Sequence, residues 1–167
     1  MKYIRFLLIT VLTVTITNCG IYSFTGADTG NAKTFQVNFF PNNADLVEPG
    51  LDIDFTNALQ DLIQNQTNLN LVNTGGDLIF EGEITDYRIA PMTATAQNTA
   101  AQNRLTIGVN VRYINTLDDE KDFEQRFSFF YDFDANAQLA GSIKDEAFEI
   151  IFERLTQDIF NTSLANW

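Results

Sequence analysis

The residue with the most specific chemistry is a lone cysteine. Cys19 follows Ile16-Thr17-Asn18 at the end of an apolar stretch. An aliphatic residue, a small polar one, one of modest size and then cysteine have the form of a lipobox. Cleavage there falls between Asn18 and Cys19. The thiol then carries a diacylglycerol, and the freed amine takes another acyl chain. Each buried CH2 is worth about 0.8 kcal/mol, and one acyl chain alone binds a membrane only marginally. Three chains make a durable anchor. The preceding residues suit this reading. Lys2 and Arg5 supply a positive start, and the apolar run Phe6 to Ile16 has 11 residues, too few to span a bilayer as a helix. The competing reading is a transmembrane anchor beside an incidental cysteine.

Other reactive chemistry is narrowed by arithmetic. The 167 residues include no histidine and one cysteine. Ser-His-Asp triads, Cys-His dyads, histidine-ligated or all-cysteine zinc sites and intrachain disulfides are therefore excluded. Carboxylates and arginines remain. Glu81 and Glu83 share one face of an expected strand and could pose as the paired acids of glycoside chemistry. Solvated strand carboxylates are the commoner arrangement, and no pocket signature accompanies them. Asp132-Phe133-Asp134-Ala135-Asn136 opens like a calcium loop, but Ala137 stands where glycine is needed and Ile143 where a bidentate glutamate is needed. Asp118-Asp119-Glu120 reads as a solvated loop run. Gly75, Gly76 and Gly82 do not form a phosphate loop. No metal or cofactor is implied.

Arg88, Arg104, Arg112 and Arg126 are the candidate contact residues. The last three have polar-face parity on their strands, and Arg88 joins them if a β-bulge falls near Thr85-Asp86. One reading is a cationic strip for lipid phosphates, using the guanidinium fork. The other is charge pairing with Glu81, Glu83 and Glu124 on that same face. There are 10 basic and 22 acidic side chains, a net charge of −12. Cleavage before Cys19 removes Lys2 and Arg5 and no acid, which takes the net side-chain charge to −14. Such a surface repels nucleic acid. Capture of an anionic lipid would have to be local.

These side chains need elements to hold them. Residues 19–33 read as a lipidated tether, rich in Gly, Thr and Asp from Ser23 to Ala32. Phe35, Val37 and Phe39 alternate with polar residues, a strand with one buried face. Leu51, Phe55, Leu59, Leu62 and Ile63 form a helical stripe, with Asp52 and Asp54 suited to the helix start. Leu69 to Val72 fits a short strand or an extended lead-in. A long strand follows over 78–89, with Leu78, Phe80, Ile84, Tyr87 and Ile89 on one side given the bulge, and Pro91 is expected to end it. A polar loop over 92–101 comes next. Leu105, Ile107, Val109, Val111 and Tyr113 alternate with polar partners. Phe123, Phe127, Phe129, Tyr131 and Phe133 line the next strand after an acidic hairpin loop over 116–122. Ser142 and Asp145 resemble a capping box opening a long helix. Its stripe is Ile143, Ala147, Ile150, Ile151, Leu155 and Ile159, widened by Phe148 and Phe152. The order β-α-β-β-β-α predicts an α+β single domain: two amphipathic helices on one face of a mostly antiparallel four-stranded sheet, the other face polar.

The residues also carry a family resemblance. Cys19-Gly20-Ile21-Tyr22-Ser23-Phe24-Thr25-Gly26 resembles the mature start of LptE, the lipoprotein subunit of the outer-membrane lipopolysaccharide translocon, and within that family the Bacteroidota branch. Phe39-Phe40-Pro41-Asn42-Asn43, Phe80-Glu81-Gly82-Glu83-Ile84 with Tyr87, and Ala101-Gln102-Asn103-Arg104-Leu105-Thr106 are similar to that branch. So are Asp122-Phe123-Glu124, Asp158-Ile159-Phe160-Asn161 and Ala165-Asn166-Trp167. The resemblance implies a non-enzymatic plug inside the β-barrel of LptD that helps the barrel assemble, with lipopolysaccharide as a candidate ligand. It implies two helices on one side of a four-stranded sheet, and an outer-membrane, periplasm-facing location. The basic lipid-contacting residues of distant members have no matching motif in this chain. The resulting division is a signal peptide over 1–18, a tether over 19–33 and an LptE-like domain over 34–167. The alternative function is a periplasm-facing scaffold or lipid-binding lipoprotein that does not meet LptD.

Overall fold

A computed structural model describes residues 27–92 and 101–165. The elements are β1 (Thr34–Val37), α1 (Leu51–Gln66), β2 (Asn70–Leu71), β3 (Leu78–Met92), β4 (Gln102–Asn115), β5 (Phe123–Asp134) and α2 (Ser142–Leu164). A 3-10 turn, Asp119–Lys121, lies in the β4–β5 hairpin. The fold is a single α+β domain, two helices on a five-stranded mixed sheet in the order β2-β1-β3-β4-β5. The short segment after α1 is a fifth strand, so the sheet is one strand wider than expected. β1 pairs in parallel with both β2 and β3, while β3-β4-β5 is antiparallel. A parallel return requires a crossover, and α1 supplies it.

The alternation of β4 buries Leu105, Ile107, Val109, Val111 and Tyr113. Onto these pack Phe55, Leu59 and Ile63 of α1 and Ala147, Ile151, Leu155 and Ile159 of α2, all fully buried. Aromatic rings join the layers edge to face. Phe40 meets Phe55 at 5.3 Å between centroids, and Phe55 meets Phe152 of α2 at 5.7 Å. Burial pushes the Tyr113 phenol up to about 12, with nearby Asp122 adding to the effect.

Some local expectations are corrected. β1 ends at Val37 and the chain then changes parity, so Phe40 is buried and Phe39 is 55% exposed. β3 continues through Pro91 to Met92. Beyond Ile84 its only neighbour in the sheet among the described residues is β4, so a missing N–H on the open side costs no ladder bond. Ser142 is the first helical residue, not a side-chain cap. Gly141 occupies the cap position at φ 55°, and its carbonyl accepts from the Asp145 N–H at 3.0 Å. Ile150 faces outward rather than inward.

The start of the described chain is fastened. Ala27 bridges Ala165, and the Asp28 N–H donates to the Leu164 carbonyl at 2.6 Å. One carboxylate oxygen of Asp77 accepts from the N–H groups of Lys33 (2.8 Å) and Thr34 (3.0 Å) and from the Thr34 hydroxyl (2.9 Å). Cys19, Asn18 and the signal segment lie outside the described residues, as do 93–100 and the Asn166-Trp167 end.

Candidate functional site

The four candidate arginines come together on the sheet face away from the helices. The register of β3 shifts between Ile84 and Asp86, leaving Thr85 unmatched. This bulge buries Tyr87 on the core side with Ile84 and turns Arg88 outward. Ile89 shares Tyr87's parity but is 41% exposed, because it lies past the reach of the core. Rows then run across β3, β4 and β5: Glu81–Arg112–Glu124, Glu83–Asn110–Arg126, Asp86–Gly108–Ser128, Arg88–Thr106–Phe130 and Ala90–Arg104–Asp132.

Most of the charge on this face is locally paired. Arg104 grips Asp132 with two parallel bonds, Nε to Oδ1 and Nη2 to Oδ2, each 2.7 Å. That bidentate pairing raises the Arg104 pKa above its ordinary value. Arg112 donates to Glu81 at 3.4 Å. Arg126 reaches diagonally across β4 to Asp86. Gly108 makes that crossing possible, since a Cβ there would come within 3.2 Å of the Asp86 carboxylate and 3.3 Å of the Arg126 guanidinium. Glu83 instead accepts from Asn43 at 2.6 Å, and Glu124 from Asn110 at 3.0 Å. Arg88 is exposed and makes no ion pair among the described residues.

Charge pairing was expected with Glu81, Glu83 and Glu124. Only Glu81 takes an arginine, and Asp86 and Asp132 take the other two. Asp132 was legible by parity, since it alternates with Arg126 and Ser128 on one side of β5. Asp86 could be found only by extending the bulge argument across to β5.

A shallow depression of about 500 Å³ lies at one end of this face, between Asn38, Phe39, Glu81, Glu83, Arg112 and Glu124. Glu81 and Glu83 both open onto it, each already held by an asparagine, Asn38 and Asn43 respectively. Both acids remain partly exposed to solvent at the rim of the depression. Among the described residues no group of three or more potential ligands could hold a metal ion. The arrangement offers a flat, hydrogen-bonded surface with fixed cations. Such a face suits a wet protein interface.

The described residues form a small, two-layered domain with a polar, ion-paired sheet face. The chain belongs to the LptE family: the model described as "LptE: Lipopolysaccharide-assembly" matches residues 32–163. This is a family of non-enzymatic lipoproteins anchored to the outer membrane. No curated protein matches the chain. Among solved structures, the hypothetical protein CT253 from Chlamydia trachomatis is similar with a TM-score of 0.54 at 11% identity, covering 81% of this chain and all (100%) of that one. A single-substitution variant of the PelC dodecamer from Paraburkholderia phytofirmans gives 0.51 at 8% identity, covering 85% and 94%. The rare lipoprotein B from Shewanella oneidensis gives 0.43 at 12% identity, covering 76% and 89%. The first two likenesses speak to the fold.

Proposed function

We propose that this chain is the lipoprotein subunit of an outer-membrane lipopolysaccharide translocon, of the Bacteroidota-type branch of its family. In this reading it plugs an LptD-type β-barrel and assists the assembly of that barrel. The signal over 1–18 is removed, Cys19 is acylated, residues 19–33 lead to the domain, and residues 34–167 face the periplasm and the barrel lumen. The observation that carries the reading is the family match over residues 32–163.

The polar sheet face supports it. A barrel lumen is lined by polar side chains and water. A plug must therefore exchange hydrogen bonds there without stranding charges. Arg104, Arg112 and Arg126 are already balanced by carboxylates, so they can meet a wet wall at little desolvation cost. We assign these three to barrel contact. Arg88, exposed and without an ion-pair partner among the described residues, is the member of the set suited to a lipopolysaccharide phosphate.

The test is a fractionation and capture experiment. Wild type should sediment with outer membranes, and affinity capture should retrieve an LptD-type barrel. Cys19→Ala should move the protein to the soluble fraction. Capture of the wild type alone, with lipopolysaccharide still reaching the surface after its depletion, would overturn the reading.

A further inference from the structure

Residues 27–32 lead into β1 as a strap of small and polar side chains, none of them fully buried. Its outer end is clasped to the C-terminal end of α2. Ala27 bridges Ala165, the Asp28 N–H donates to the Leu164 carbonyl, and Lys121 reaches the Asp28 carboxylate at 3.4 Å. Two further bonds lie within the strap and need no contact with α2. The Gly30 N–H donates to the Asp28 carboxylate at 3.1 Å, and the Ala32 N–H to the Thr29 carbonyl at 3.0 Å. The seating is loose. Hollows of about 180 and 190 Å³ are lined by the strap together with the end of α2 and with the β4–β5 hairpin. A Cβ at Gly30 would meet nothing within 4 Å. The residues that follow are held differently. Lys33 and Thr34 give their N–H groups to Asp77, and the Lys33 carbonyl accepts from the Asn70 N–H at 2.9 Å. Phe35, next in the chain, is fully buried.

We propose that the strap is a releasable clasp. It peels from α2 while Lys33 and Thr34 stay pinned, and so lengthens the lead that ties the domain to an acylated Cys19. The inference rests on the function proposed above. Segments with few buried contacts open locally at far lower free energy than the core. An exposed ion pair adds little to hold them shut. Release also returns the backbone freedom of the strap residues. Its apolar contribution to the core is two partly buried alanines, Ala27 and Ala32. The gain in reach has a use. The strap adds at most about 22 Å of lead, close to the height of a barrel's apolar band, about 25 Å. Shut, the clasp keeps the domain near the lipid surface. Open, it lets the domain advance into a barrel lumen without drawing the acyl chains out of the leaflet.

Two measurements on the full-length protein test this. In hydrogen exchange, corrected for intrinsic rates, the Asp28 amide should exchange at least about tenfold faster than the Thr34 amide. It should do so although its hydrogen bond is the shorter, 2.6 against 3.0 Å. Equal protection would overturn the clasp. The second measurement locks it. Cα atoms paired in an antiparallel bridge lie about 4.5–5.5 Å apart, within disulfide range. Ala27→Cys together with Ala165→Cys should therefore close a disulfide in an oxidising periplasm, while either substitution alone leaves the clasp free. With the Cys19 thiol acylated, no native thiol competes. Co-expressed with the barrel, the locked protein should recover at least about tenfold less of it than either single variant. Equal recovery would overturn the proposal and leave the partnership standing. No barrel recovered by wild type or any variant would overturn the partnership, and the use of the clasp with it.

Discussion

At the scale of single residues, two positions hold the frame on which the polar face is built. Gly82 sits in the middle of β3, opposite Val111. A Cβ there would overlap the Asn110 carbonyl oxygen and lie 2.8 Å from the Phe40 ring. Neither a central-strand backbone nor a fully buried ring can yield. Gly82→Ala should therefore cost at least about 3 kcal/mol, at or above the upper end for overpacking, as read from the denaturation midpoint. Asp77 is the second. Its contacts with Lys33 and Thr34 hold its carboxyl below the ordinary carboxylate range, the Lys33 N–H being the largest cause. A depressed folded pKa means stabilisation that is present above the unfolded value of about 4 and lost as pH falls through the folded one. Asp77→Asn should thus be less stable than wild type at pH 7. The gap should narrow as pH falls below the unfolded value and through the lowered folded one, and melting curves at descending pH check it.

At the scale of elements, the β3 bulge does the most to make the face. With Thr85 unmatched, Ile84 and Tyr87 both point inward while Asp86 and Arg88 point outward. The Tyr87 hydroxyl then donates to Glu48 at 3.2 Å, and Lys144 at the start of α2 donates to the same carboxylate at 2.9 Å. Burial first, and then Glu48, push the Tyr87 phenol far above its ordinary value. Deleting Thr85 would leave Ile84 and Tyr87 two residues apart, so both stay inward and the β3–β4 ladder closes without a bulge. The deletion variant should keep a denaturation midpoint close to wild type and its amide protection beyond position 85. Inserting one further residue there should instead turn Tyr87 outward and cost about 2–4 kcal/mol. This bulge was legible in the sequence because five apolar residues changed parity within one strand. The helices and the β4 face were legible for the same reason, periodicity. The turn of Phe39 outward and Phe40 inward was not. It depends on the 41–43 segment, where the Pro41 carbonyl accepts from Ile84 and Asn43 donates back to it, both at 2.9 Å. Nor was the helix start at Gly141 legible, because a glycine at positive φ leaves no polar signature. The Arg126–Asp86 pair needed a register across three strands, and no single strand carries that information.

At the scale of the whole molecule, the polarity of the domain along its strands matters most. Ala27 is fastened beside Ala165, and Lys121 of the β4–β5 hairpin reaches Asp28 at 3.4 Å. Glu48, with exposed Leu46 and Val47 beside it, is tied to Tyr87 and Lys144 toward the other end. Cys19 lies eight chain steps before Ala27, a reach of at most about 29 Å. Acylated as proposed, Cys19 would be a short leash clipped to one end of the domain. The hairpin end would then idle near the lipid headgroups, with the Leu46-Val47 end as the leading tip. A plug so moored would swivel about its leash and enter its host nose first.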